Sequence, residues 1–442
     1  MAPIKTLLSS ALVGLAAARK CSNVVIETPI ISRQGRFREV PIESNVDVMG
    51  FATRFTQFQT NYSAELLEGY QTLEKTFNIS AQYCEPDSGS SGTIQVLTHG
   101  VGFDKTYWDL EYDNYNYSYV NVALDAGYST LAIDRLGIGN SSHGDPFNEI
   151  QAQAELEALN SVTLQLRKGK IYGIDRSFDK VIHVGHSFGS ILSYWLSSKY
   201  PENTDGLILT GFSVAGQFLP YIVAGMNLHS ARLNQPLRFG NASNHGLMKL
   251  AQKYSVEENL AEGLQKVLML AGIDLDSDEA WNQIATTEIL NLVNGYNKTV
   301  HSLNYPSGYM TTSSLAGLQY GFLQPDNYDI GLAVHGEETK QPVTVGELLT
   351  IGSSPSSSSF TGPVLVITGE TDVPFCGGNC FGQIMGTNYS NIPEAVAQVF
   401  PSASAFQSHI QPNTAHGLNF HYNATAGYKV MQDFLANHGL SV

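Results

Sequence analysis

The clearest chemistry in the chain lies at Gly185-His186-Ser187-Phe188-Gly189. This pentapeptide follows Lys180-Val181-Ile182-His183-Val184, which reads as a short buried strand. It precedes the apolar run Ser190 to Leu196, which reads as a helix. A serine between two glycines at a strand-to-helix turn is the pattern of a nucleophile elbow. Gly185 and Gly189 let the strand and helix approach without Cβ clashes. Ser187 would stand at a helix N-terminus, where backbone amides stabilise a developing oxyanion. The chemistry implied is nucleophilic acyl transfer, which needs a base and an acid to orient it.

Candidates for both occur downstream, in the order Ser, acid, His. Gly362 to Gly369 reads as another buried strand and runs into Glu370-Thr371-Asp372-Val373-Pro374. A carboxylate just past that strand lies on the same sheet edge as Ser187. Asp372 is the expected acid and Glu370 the competitor. The preceding strand, Gly206 to Thr210, is followed through Gly216 by no carboxylate. Four histidines follow Asp372: His409, His416, His421 and His438. His409 sits in a strand-like run and His438 near the terminus. His416 lies in the turn-rich loop Asn413-Thr414-Ala415-His416-Gly417, ahead of a helix expected from about Ala424 to Asn437. His416 is therefore the expected base and His421 the runner-up. The oxyanion donors are expected to be the amides of Phe188 and of Val101, with Gly100 or Gly102 one residue away. Val101 lies in His99-Gly100-Val101-Gly102-Phe103, after the strand Thr93 to Thr98. His99 reads as a structural residue that hydrogen-bonds this loop.

With a fourth signature, the strand Ser129 to Ile133 followed by Asp134-Arg135-Leu136-Gly137-Ile138-Gly139-Asn140-Ser141, the chain resembles α/β-hydrolase-fold serine hydrolases of the lipase–esterase kind. The motifs carrying that resemblance span His99 to His416. It implies an α/β fold with a mostly parallel central sheet flanked by helices, and a large helical lid inserted before the acid-bearing strand. The resulting division is a core at 19–213 and 361–442, with the lid at 214–360. The fold hosts many chemistries, so the substrate does not follow from it. Serine at the elbow argues against dehalogenase and typical epoxide-hydrolase chemistry. Phe188 replaces the tryptophan common in proline iminopeptidases.

Lys5, the apolar run Leu7 to Leu15 and Ala16-Ala17-Ala18 read as a secretory signal cleaved after Ala18. A secreted or secretory-pathway and vacuolar protein is expected. Sequons at Asn61, Asn78, Asn116, Asn140, Asn241, Asn297, Asn388 and Asn423 suit glycosylation. The four cysteines suit two disulfides, Cys376 with Cys380 close in sequence and Cys21 with Cys84 as the remaining pair. A C-x3-C metal site is the rival reading, but no second ligand cluster accompanies it. Net charge is −16 with no basic run, so nucleic acid and anionic membranes are poor partners.

Within the insertion, Leu247 to Ala271 and Asp276 to Asn294 carry helical apolar spacing, and Ser353 to Ser359 reads as a linker. Gly206 to Met226 is uncharged and long enough to raise the question of a membrane span. Its glycines, Gln217 and Pro220 favour a core strand that leads into the lid. Phe212, Phe218 and Tyr221 are expected over Ser187, with Tyr107 and Trp108 as further pocket residues. Arg19 to Ser90 is expected to add strands to the sheet edge, with Glu65 to Thr76 as a helix. The expected activity is a secreted esterase or lactonase with a small-molecule ester or acyl substrate and neither cofactor nor metal. An acyltransferase or cyclase on the same triad is the enzymatic alternative, and a non-catalytic binding module is the alternative of a different class.

Overall fold

The apolar runs flanked by Gly, Asp and Ser in the sequence become the strands of one sheet in the computed structural model, which describes residues 19–89, 92–240, 302–384 and 386–441. They are β1 (Lys20–Phe37), β2 (Leu67–Glu85), β3 (Thr93–Thr98), β4 (Ser129–Ile133), β5 (Lys180–His186) and β6 (Gly206–Thr210). The small strands β7 (His229–Ser230), β8 (Tyr309–Thr311) and β9 (Val343–Thr344) form a separate sheet. After them, β10 (Pro363–Gly369) and β11 (Ala405–Gln411) return to the first. The large sheet runs β1-β2-β4-β3-β5-β6-β10-β11. From β4 to β11 every neighbouring pair is parallel, while β1 and β2 add antiparallel strands at one edge. Parallel strands must be covered on both faces. Helices Ala152–Arg167, Phe188–Lys199 and Ala424–Asn437 supply much of that cover. The last matches its expected bounds.

One expectation is corrected. Glu65 to Thr76 is not a helix: apart from Glu65 and Leu66 at the end of a short preceding turn, it belongs to β2. Leu67, Tyr70, Leu73 and Phe77 recur at three- and four-residue spacing, which mimics a helical stripe. That local signal loses to pairing with β1, whose register runs from Lys20 opposite Glu85 to Arg36 opposite Gly69. Cys21 and Cys84 face each other in that register and are disulfide-bonded. Cys376 and Cys380 form the second disulfide, so the C-x3-C segment is a covalent staple.

The described parts of 214–360 hold helices Leu219–Gly225, Leu315–Phe322, Ile330–Thr339 and Val345–Thr350 with the β7-β8-β9 sheet. The two helices expected within 247–294 lie outside the described residues. Among the described residues, no helix is long and apolar enough to cross a membrane. A buried ion cluster ties this segment to the sheet. Arg135, just past β4, bonds both Glu155 of Ala152–Arg167 and Glu347 of Val345–Thr350. Its guanidinium also lies 4.7 Å from the Phe188 ring centroid. Removing one partner of such a cluster would leave an uncompensated buried charge.

Burial also sets a pH dependence. Desolvation, with the Arg135 charge adding to it, holds His99 down to about 3. Desolvation likewise holds His183 to about 3 and His421 to about 4, and it holds His186 well below the usual imidazole range. The unfolded chain protonates these groups near 6.5, while the native protein keeps them neutral. Stability is therefore expected to be lost as pH falls from about 6.5, by roughly 1.4 kcal/mol per pH unit for each histidine. Glu155 and Asp134, raised by desolvation, take up protons in the native state and offset part of this. Urea midpoints between pH 7.5 and 5 measure the effect, and a flat profile would contradict it.

Candidate active site

Ser187 ends the β5 turn in a conformation few side chains adopt, with φ 55° and ψ −118°. The turn is that tight because strand, helix and neighbouring strand nearly touch. A Cβ on Gly185 would lie 2.5 Å from the Ser190 nitrogen, and one on Gly189 would lie 2.1 Å from the Thr98 carbonyl oxygen. The Ser187 amide donates to the Thr210 carbonyl at 2.9 Å, which fixes the elbow against β6.

Asp372 and His416 reach the same point from the ends of β10 and β11. These strands are parallel neighbours. The Thr371 amide donates to the Thr414 carbonyl at 3.1 Å and so binds their two loops together. Asp372 caps the short helix Val373–Cys376, with its Oδ1 accepting from the Phe375 amide at 2.9 Å. Its Oδ2 accepts from the Thr368 hydroxyl at 2.7 Å and lies 2.7 Å from His416 Nδ1. A carboxylate can only accept here, so Nδ1 carries the proton and Nε2 is free to act as base. His416 Nε2 stands 2.8 Å from Ser187 Oγ. Asp372 and His416 are fully buried and Ser187 is 9% exposed, at the wall of a cavity.

The hydrogen bond to the serine hydroxyl comes from His416, while both competitors are engaged elsewhere. Glu370 Oε1 accepts from the Gln324 side-chain amide at 3.3 Å. His421 spends both ring nitrogens on backbone groups, Nδ1 on the Gly417 carbonyl at 2.9 Å and Nε2 on the Gln324 and Ala415 amides at 3.0 and 3.2 Å. His409 Nε2 pairs with Gln411 at 3.1 Å.

Phe188 is the first residue of its helix, where amides lack an intrahelical partner. The loop after β3 passes directly beside the elbow, since a Cβ on Gly100 would lie 2.7 Å from Ser187 Cβ. Strands β3 and β5 start chain excursions in opposite directions, so this is the topological switch point, where α/β sheets place their ligands. His99 organises the loop as a structural residue. Its Nε2 must accept from the Arg135 amide at 3.0 Å, which leaves Nδ1–H to donate to the Gly100 carbonyl at 2.8 Å. That carbonyl belongs to the same peptide plane as the Val101 N–H, and a trans peptide directs the two oppositely.

The cavity beside Ser187 is lined by Val101, Phe375 and Pro374 from the core, with Phe55 from the N-terminal segment. Leu219, Ile222, Val223 and Met226 line it from the segment that follows β6. None of the five expected pocket residues is among its lining residues. Tyr107 and Trp108 turn into the core, where Tyr107 stacks on His186 at 4.4 Å and Trp108 meets Tyr119 edge-on at 5.2 Å. Phe212 packs on Phe375 at 5.7 Å. Phe218 packs with the Cys376–Cys380 cluster, and Tyr221 is 51% exposed. The missed signal was helical period: residues 219, 222, 223 and 226 share one face, while 218 and 221 lie off it.

The chain matches the model of the Alpha/beta hydrolase family over residues 95–421. A probable 1-acylglycerol-3-phosphate O-acyltransferase of Oryza sativa subsp. japonica is 28% identical over 125 residues, which are 28% of this chain and 26% of that protein. The chain thus spans about a quarter of the length of that relative. Among solved structures, an esterase of Thermogutta terrifontis is similar at 14% identity and TM-score 0.39, covering 83% of this chain and 95% of the other. A Vigna radiata epoxide hydrolase mutant is similar at 15% identity and TM-score 0.41, covering 81% and 96%.

Proposed function

The chain belongs to the alpha/beta hydrolase family, and on that footing we propose that it is a serine hydrolase that cleaves an apolar carboxylic ester or lactone through an acyl-enzyme. The observation that carries this reading is the continuous hydrogen-bonded line Asp372–His416–Ser187, ending on a strained serine at the wall of an apolar cavity. His416 Nε2 takes the Ser187 proton as Oγ attacks the ester carbonyl, and Asp372 stabilises the imidazolium. The amides of Phe188 and Val101 hold the oxyanion. His416 then returns its proton to the leaving alcohol, and water repeats the sequence to release the acid. These residues require neither metal nor cofactor for that cycle.

Ser187 apart, the lining of the cavity is apolar, so a charged acyl group would be desolvated without a partner. That supports an uncharged acyl chain as the bound portion. An apolar site of this kind also suits the second reading, transfer of the acyl group to an alcohol or amine in place of water. The two disulfides and the exposed sequons Asn61, Asn78, Asn116, Asn140 and Asn388 support entry into a secretory compartment. Asn423 is half-buried and commits its side-chain amide to the Pro412 carbonyl.

Intact-mass analysis after fluorophosphonate treatment tests the reading directly. One adduct is expected, on Ser187, together with turnover of p-nitrophenyl esters. An adduct without ester turnover would favour acyl transfer. A folded protein that takes up no adduct would refute the nucleophile.

A further inference from the structure

The cavity wall includes a residue from outside the segment that matches the family. Phe55 lies forty residues before the matched region begins at residue 95, yet it lines the same cavity as Ser187. It is the last residue of the helix Asn45–Phe55. That helix is well fixed locally. Ser44 and Asp47 form a reciprocal capping box, with the Asp47 amide donating to Ser44 Oγ at 3.2 Å and the Ser44 amide donating to Asp47 Oδ2 at 2.9 Å. Val48, Phe51 and Ala52 are buried along one face. Phe51 stacks on Phe55 at 5.7 Å and tilts against Tyr62 at 5.8 Å, so the Phe55 ring is supported from behind.

What the helix docks on is equally informative. Asn45 Oδ1 accepts from the Ser230 amide at 3.0 Å, and the Ile42 carbonyl accepts from the Ser307 hydroxyl at 2.8 Å. Glu43 pairs with Arg232. All three partners belong to the insertion between β6 and β10, not to the central sheet. The N-terminal segment and the insertion therefore pack together beside a cavity that Phe55 lines along with core residues such as Val101 and Phe375.

We propose that Phe55 is a specificity-determining residue that limits the length of the acyl chain held beside Ser187, an inference that rests on the serine-hydrolase reading above. The chemistry of the wall leaves little else for it to do. The ring has no polar atom, and it shares the cavity with Met226 and Leu228, against which it can exclude only apolar matter. One methylene more or less in an apolar pocket changes kcat/KM by about tenfold or more. A side chain that fills several methylenes of space is thus enough to set a chain-length cutoff.

The test is a p-nitrophenyl ester series from acetate to laurate on the full-length protein, with Phe55→Ala and Phe55→Trp compared with wild type. Phe55→Ala is expected to move the optimum to longer acyl chains and to raise kcat/KM for the longest esters about tenfold relative to acetate. Phe55→Trp is expected to move it the other way. Opposite shifts are a signature that a merely structural ring cannot give, because lost packing lowers every rate in both variants. Unchanged profiles, or a uniform loss across the series with a lower Tm, would overturn the proposal. Ser187→Ala is run in parallel. If that variant still turns over acetate, the reading of the site is what fails. If it is inactive while the Phe55 profiles stay fixed, only the role of Phe55 fails.

Discussion

Ser187→Ala is expected to abolish ester turnover, with kcat falling by about 10⁶-fold and no fluorophosphonate adduct forming. The size follows from the loss of the covalent path itself. Without Oγ, His416 Nε2 has no proton to take at 2.8 Å, and what remains is positioning by the cavity and by the proposed oxyanion donors. Alanine keeps the Cβ, so the backbone at φ 55° carries the same strain as before. The Ser187 hydroxyl is a polar group at an apolar wall, and its removal is expected to leave Tm unchanged or slightly raised. Loss of activity in a protein that melts normally would assign the nucleophile. Retained turnover or labelling would remove Ser187 from the mechanism.

Asp372→Asn is expected to lower kcat by about 10⁴-fold with little change in KM. The carboxylate works by accepting only. Oδ2 accepts hydrogen bonds from His416 Nδ1–H and from the Thr368 hydroxyl, each at 2.7 Å, and so fixes which imidazole nitrogen faces Ser187. An amide in the same place can present N–H to Nδ1, which stabilises the tautomer with its proton on Nε2. That tautomer cannot accept from Ser187 Oγ. Because Asp372 is fully buried, no solvent path corrects the error. Glu370→Gln is the companion measurement. Glu370 bonds Gln324 and not His416, so its rates are expected to stay within about threefold of wild type, the scale of a lost non-catalytic hydrogen bond. If Glu370→Gln were the variant with the large loss, the acid would be reassigned.

Much of the site was legible because its residues obey local rules. The elbow needs glycine on both sides of Ser187, and the acid must follow a strand that shares the serine's sheet edge. The base must sit in a loop that opens onto the last helix. Each condition leaves a mark within a few residues, and Asp372 and His416 carry those marks better than Glu370 and His421. The cysteine pairing was similarly constrained by count and by separation along the chain.

What the sequence could not supply is the set of contacts made between distant segments. The stretch after Leu67 carries a helical apolar rhythm, yet it is a strand because β1 offers a partner for almost its whole length. Which rings line the cavity is decided in a related way. Tyr107 and Trp108 follow the loop after β3, but the side of the turn on which a ring lands is decided by the stack on His186 and by packing on Tyr119. Phe55 could not be foreseen at all, since nothing in its neighbourhood mentions a cavity built mostly from residues more than a hundred positions away. Local sequence rules set the order and geometry of the chemistry-bearing turns. Which apolar side chains line the cavity beside Ser187 followed from the fold, because burial is a property of what packs from elsewhere in the chain.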